Sequence, residues 1–150
     1  MVNIKINKTD LKKLENKLED LRRISEKELS KEVGQTVALS SRRMKQNVVV
    51  DLGTLKQSIV FGRTGGKFDS QGFVKAKAKY APYVEFGTGR LVNLKDMQEL
   101  GIPDSYAAQF KGRGIKEVNL PARPFFFSSV RIEFRKMLDR VNDKLKRLTR

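Results

Sequence analysis

The sequence predicts an α+β domain in which a small antiparallel β-sheet is packed by a long N-terminal helix and a C-terminal helix. Three observations predict it. Leu11, Leu14, Leu18, Leu21 and Ile24 recur at helical spacing among charged residues. From Val48 the period drops to two. Near the end Val130, Phe134, Met137, Leu138, Val141, Leu145 and Leu148 restore the helical period. One domain is expected over 1–150, with a long loop or arm at about 90–120.

In chain order, Val2, Ile4 and Ile6 alternate with Asn3 and Lys5 as a short strand does. Asn7, Thr9 and Asp10 are candidate caps for the long helix. Its stripe continues less cleanly through Leu29, Val33, Val37 and Met44, and Gly34 is the expected break, because glycine costs about 1 kcal/mol against alanine inside a helix. Ile59 and Phe61 begin a strand, and Thr64, Gly65 and Gly66 supply a turn where positive φ is cheap. The return strand, Gly72 to Tyr80, puts Val74, Ala76, Ala78 and Tyr80 on one face and Phe73, Lys75, Lys77 and Lys79 on the other. Small alanines there let a helix approach closely. A third strand is expected over Pro82 to Phe86, ended by Gly87 and Gly89. Beyond it periodicity fades: a short helix capped by Asn93 and stopped by Gly101, a turn after Pro103, and a mobile loop at Lys111 to Gly114. Ser128 or Ser129 can cap the final helix.

Composition narrows the function. With 32 Lys and Arg against 17 Asp and Glu, the chain carries a formal charge of +15. Hydrophobic residues at 39%, with 11 glycines, lie in the ordinary range of a packed chain, so disorder is a poor reading. There is no cysteine and no histidine, which removes the disulfide, the thiol nucleophile, the commonest general base and the commonest zinc ligand. No enzymatic activity and no cofactor or metal are expected. Met1 to Asp10 holds no signal-like apolar core and no run reaches membrane-span length, so the expectation is a soluble protein made inside the cell, with no membrane partner.

Three short stretches stand out. Asp51, Gly53, Leu55, Ser58 and Ile59 form a D-x-G-x-L-x-x-S-I pattern; Tyr80 to Thr88 reads Y-A-P-Y-V-E-F-G-T, including Tyr83, Glu85, Phe86, Gly87 and Thr88; Pro121 to Phe126 reads P-A-R-P-F-F, including Pro121 and Pro124. In this order, between two helices, they resemble the gp-ten-like tail-component family of long-tailed bacteriophages, the neck or tail-completion proteins of the head-to-tail joint. The likeness covers roughly Asp51 to Val130, and the flanking helices agree only in pattern. It departs at Leu52, where the family usually has Thr, and at Thr54, where Arg is common. The resemblance implies a virion subunit assembled in the bacterial host cytoplasm, working without catalysis in a homo-oligomeric ring, a hexamer or dodecamer. Its implied neighbours are head-completion or adaptor proteins and tail-tube or tail-terminator proteins, with genomic DNA passing through the channel.

The residues themselves give the following physical reading. Asp51 can accept backbone N–H bonds at a turn, with Leu52 and Leu55 packing beneath. Glu85, on a strand face with Ala81 and Tyr83, either anchors the Gly87 turn or pairs with a basic residue of a neighbouring subunit. A catalytic Glu85 lacks the second carboxylate, metal or nucleophile such a role needs. Phe125, Phe126 and Phe127 offer more aromatic area than one small sheet requires, and with Lys111, Arg113 and Lys116 in the long loop they are the interface candidates. Lys75, Lys77 and Lys79 would stand about 6.8 Å apart along a strand, an even comb that suits either a DNA backbone or a protected sheet edge. The alternative function is therefore a non-specific nucleic-acid-binding basic protein.

Overall fold

The computed structural model describes residues 7–48, 53–66, 69–92, 94–101, 103–107, 109–110 and 119–149. The strand expected at Val2–Ile6, the Asp51 turn, the Asn93 cap and the loop residues Lys111, Arg113 and Lys116 lie outside them.

Asn7 starts the first helix, its Oδ1 accepting from the Thr9 N–H at 3.0 Å. Helix α1 (Lys8–Arg23) runs through one π-turn, Ile24–Glu28, into α2 (Leu29–Asn47). Gly34 does not break the run. The irregularity falls earlier, where the Leu29 N–H donates to the Ile24 carbonyl five residues back. The stripe explains the position. Leu21 to Leu29 is one residue more than the seven that return a helix to nearly the same face, and a π-turn absorbs the surplus residue. Leu29, Val33 and Val37 thereby rejoin the line of Leu11 to Leu21.

After the short helix α3 (Gly53–Ser58), strands β1 (Ile59–Gly65) and β2 (Ser70–Ala76) pair antiparallel, with Ile59 opposite Ala76 and Gly65 opposite Ser70. The fold is α+β with a two-stranded sheet, and Pro82 to Phe86 is not a third strand. Those residues belong to helix α4 (Ala81–Phe86). Pro82 occupies the first turn, where its missing N–H leaves no bond unmade, and the Val84 and Gly87 N–H groups donate to the Tyr80 and Tyr83 carbonyls. The return strand likewise stops at Ala76, and Ala78 to Tyr80 turn into α4. Helix α2 crosses β2 over a glycine: a Cβ on Gly72 would stand 2.6 Å from Val37 Cγ1 and 2.9 Å from Val33 Cγ1. Ala76 and Ala78 instead pack on the core cluster of Met44, Val48, Leu55, Ile59, Ala81 and Phe125.

In the described part of 90–120 the expected short helix before Gly101 and the turn after Pro103 are both present. A 3₁₀ turn at Gly89–Leu91 leads to the short helices α5 (Leu94–Glu99) and α6 (Asp104–Ala107). Phe86, Met97 and Phe110 form a second buried cluster there.

The last helix, α7 (Phe127–Thr149), lies antiparallel to α2. Its orientation is unusual: the polar side faces inward. Ser129 and Glu133 are buried on α7, and Glu32, Thr36, Ser40 and Ser41 are buried on α2. Phe134 and Leu138 remain 49% and 45% exposed. Of the apolar positions expected along α7, Val130, Met137 and Val141 are half-buried, whereas Phe134, Leu138 and Leu145 are exposed.

Candidate functional site

The motif stretches meet at one carboxylate. Glu85, on α4, is 5% exposed. Its Oε2 accepts from the Phe125 and Phe126 N–H groups at 2.7 and 2.8 Å, and its Oε1 accepts from the Phe127 N–H at 3.1 Å. These donors lead into and open α7, whose first helical bond runs from the Val130 N–H to the Phe126 carbonyl, and there the helix dipole also favours a negative charge. Glu85 therefore caps a helix 40 residues away. Among the described residues its carboxylate bonds to the start of α7, and neither to a basic side chain nor to the Gly87 turn. Ser128 and Ser129 do not cap: the Ser129 hydroxyl donates to the Phe125 carbonyl at 2.6 Å and accepts from Asn47 Nδ2 at 3.2 Å, tying α7 to α2.

Around Glu85 two motif stretches are joined by their backbones. The Arg123 N–H donates to the Val84 carbonyl at 2.8 Å and the Thr88 N–H to the Leu120 carbonyl at 2.9 Å. The Thr88 hydroxyl accepts from the Leu120 N–H at 3.0 Å. Gly87 makes the approach possible. Its φ is +78°, and a Cβ there would stand 2.8 Å from Ala122 N, Leu120 O and Leu91 O. The third motif stretch enters from below: Leu55 and Ile59 are buried with Ala81 and Phe125, and the Ser58 hydroxyl closes its turn on the Leu55 carbonyl at 2.8 Å. Pro121 and Pro124 are exposed and hold the segment leading to the cap extended.

The phenylalanine run divides among three jobs. Phe125 is buried in the first cluster, Phe127 packs on Phe86 in the second at 5.8 Å between ring centroids, and Phe126 stands edge-on between them, 6.2 and 5.3 Å from its neighbours. Tyr83, 40% exposed, sets its ring edge-on to Phe110 at 5.2 Å. Phe126 also borders two apolar hollows. One, of about 380 Å³, has Glu85, Pro103 and Tyr106 among its walls; the other, of about 480 Å³, lies between α2, β2 and α7.

The lysine comb is not even. Lys75 is exposed on β2 with its Nζ 5.0 Å above the Phe73 ring, Lys77 lies just past the strand with its N–H on the Ser58 carbonyl, and Lys79 sits in the following turn.

Sequence reasoning did not find the ion-pair ladder between α2 and α7. Arg43 meets Glu133 at 2.6 Å, Arg140 meets Glu32 at 2.8 Å, and Lys144 bridges Glu28 and Glu32 at 2.9 and 3.0 Å. Burial raises the Glu32 carboxyl, but hydrogen bonds from Arg140 and Lys144 outweigh it and leave the group below the ordinary carboxylate range. Glu133 behaves alike, with Arg43 and Lys136 overcoming its burial. The Lys144 hydrogen bond lowers Glu28, and Glu28 and Glu32 raise Lys144. The ladder left only scattered acids and bases in the sequence, because partners so far apart along the chain leave no local spacing.

Among the described residues no group of acids could hold a metal ion, and no helix is long and apolar enough to cross a membrane. What converges at Glu85 is a structural joint between α4 and the start of α7. Residues 12–87, half of the chain, match the model of the family described as "Bacteriophage HK97-gp10, putative tail-component", and the chain belongs to that family. The match begins in α1 and ends at Gly87, taking in the first motif stretch whole and the second as far as Gly87. No curated protein and no solved structure matches the chain.

Proposed function

We propose that this phage tail-component protein is a ring-forming neck or tail-completion subunit, joining the portal side of the head to the tail tube. Head-completion or adaptor proteins would lie on one side of the ring and tail-tube or tail-terminator proteins on the other, with the virion neck or tail as its place of work. One observation carries the reading. The motif residues are used to lock the fold around Glu85 and Phe125, while long apolar stripes on α1 and α7 stay exposed. A chain that exposes Leu11, Leu14, Leu18 and Leu21 along one helix, each at 43% or more, is built to be covered by other protein. Lys75, Lys77 and Lys79, all exposed, are the proposed contacts to DNA in the channel.

The test is electron microscopy of particles produced without this chain. Filled heads and finished tails lying apart are the expected result. Particles that join normally would remove the proposal.

A further inference from the structure

We infer that the leucine stripe of α1 docks into the hollow between α2, β2 and α7 of a second copy, in a head-to-tail arrangement. This rests on the ring reading and names the surfaces that would make the ring. Among the described residues two apolar features of opposite shape have no partner. The first is convex: α1 buries no residue, yet Leu11, Leu14, Leu18 and Leu21 form one stripe along a helix of 16 residues, about 24 Å long. The second is concave: the hollow of about 480 Å³ is walled by Val33 and Val37 of α2, Val74 of β2, and Phe126, Phe134 and Met137. Its size suits inserted side chains and not a helix backbone.

The stripe cannot fill the hollow of its own chain. Helix α1 runs on into α2 through a π-turn without a reversing loop, so it points away along the same axis. Among the described residues the hollow has no occupant and the stripe has no hollow.

Charge favours a second copy as the occupant. In a chain of +15, α1 carries six basic and four acidic residues, the nearest to balance of the three long helices, so another copy can approach there with the least repulsion. Glu15 and Glu19 lie on the flank of the stripe beside Leu18, where the base Arg22 is paired with Glu26 at 2.7 Å. On α7, Arg135 is the residue after Phe134, which walls the hollow. Acid thus faces base when stripe enters hollow, which fixes register more than strength. A contact between two different surfaces of identical chains propagates in one direction and closes into a ring when the rotation allows.

The absence of cysteine gives a clean test. Leu18→Cys and Phe134→Cys, both at exposed positions, are prepared as separate proteins, checked for unchanged helix content, mixed at high concentration and treated with a short bis-maleimide. The expected product is a covalent dimer containing one chain of each kind, several-fold more abundant than in either protein alone. A dimer formed as readily by Leu18→Cys alone would mean stripe against stripe, and would overturn the proposal. So would no dimer in the mixture. If the mixture gives none while particles lacking the chain still fall into separate heads and tails, the docking mode fails and the neck reading stands.

Discussion

A single carboxylate at the Glu85 position satisfies three backbone donors, one buried and two part-buried. A hydrogen bond to a charged group contributes about 1.5–3 kcal/mol, and an unsatisfied buried donor costs a comparable amount. Glu85→Gln keeps the shape but removes the charge and turns an N–H₂ toward N–H groups. The expected loss is about 2–3 kcal/mol, seen as a fall in the thermal midpoint of roughly 4–12 °C for a chain of this size. Gly87→Ala acts at the same joint by another route, through its positive φ and the approach of the Leu120 to Ala122 backbone. Because both changes open one contact, the double variant should lose less than the sum of the singles. Strict additivity, measured by urea denaturation, would mean that Glu85 and Gly87 support separate structures.

Among the elements, α2 and α7 are held by ions and hydroxyls where most helix pairs use apolar side chains, and this makes their contact sensitive to pH. Glu28, Glu32 and Glu133 have folded pKa values below their unfolded ones, so their contribution is present above the unfolded carboxylate value of about 4.3 and is lost as pH falls through the lowered folded values. Lys144 is raised, so its share is intact below about 10.4 and is lost as pH climbs past its folded value. Stability should therefore drop steeply on acidification below about pH 4.3, and Glu32→Gln should flatten that drop while lowering stability at neutral pH. An unchanged acid profile in that variant would show that the ladder does not govern acid unfolding. The π-turn gives a second expectation. Deleting Ser25 leaves a regular helix with Leu21 and Leu29 still on one face, whereas deleting Asn16 rotates Leu11 and Leu14 by about 100° away from Leu18. The first deletion should preserve assembly and the second should abolish it, as read by light scattering. These elements also show what the sequence could convey. Long stripes located α1, α2 and α7 because a period repeated over many turns cannot be mistaken. Pro82 to Phe86 alternated well enough for a strand, and so short a run does not separate that pattern from one and a half helical turns. The role of Glu85 had no local signal, since its partners are backbone groups that exist only once α7 has docked.

For the molecule as a whole, the charge of +15 acts differently on the two functions it could serve. Two copies approaching each other repel, and salt relieves this as the screening length shrinks from about 14 Å at 0.05 M to about 4 Å at 0.5 M. Contacts between apolar stripes lose nothing from that screening, and exposed ion pairs at their rim contribute at most about 1 kcal/mol each. Binding to duplex DNA moves the other way, because it is driven by release of counterions and weakens with salt in proportion to the phosphates neutralised. Self-association should accordingly strengthen between about 0.05 and 0.5 M salt while DNA affinity falls by orders of magnitude. Sedimentation of the protein alone and fluorescence anisotropy of a labelled duplex follow the two effects in the same buffers. Replacing Lys75, Lys77 and Lys79 by glutamine should reduce the DNA salt slope by up to about 2.7, at about 0.9 for each phosphate no longer neutralised, with self-association unchanged. If self-association instead weakens with salt in parallel with DNA binding, charge is the cohesive force in both. The exposed leucines of α1 would then have no part in joining copies, and the basic nucleic-acid binder would become the better account of the chain.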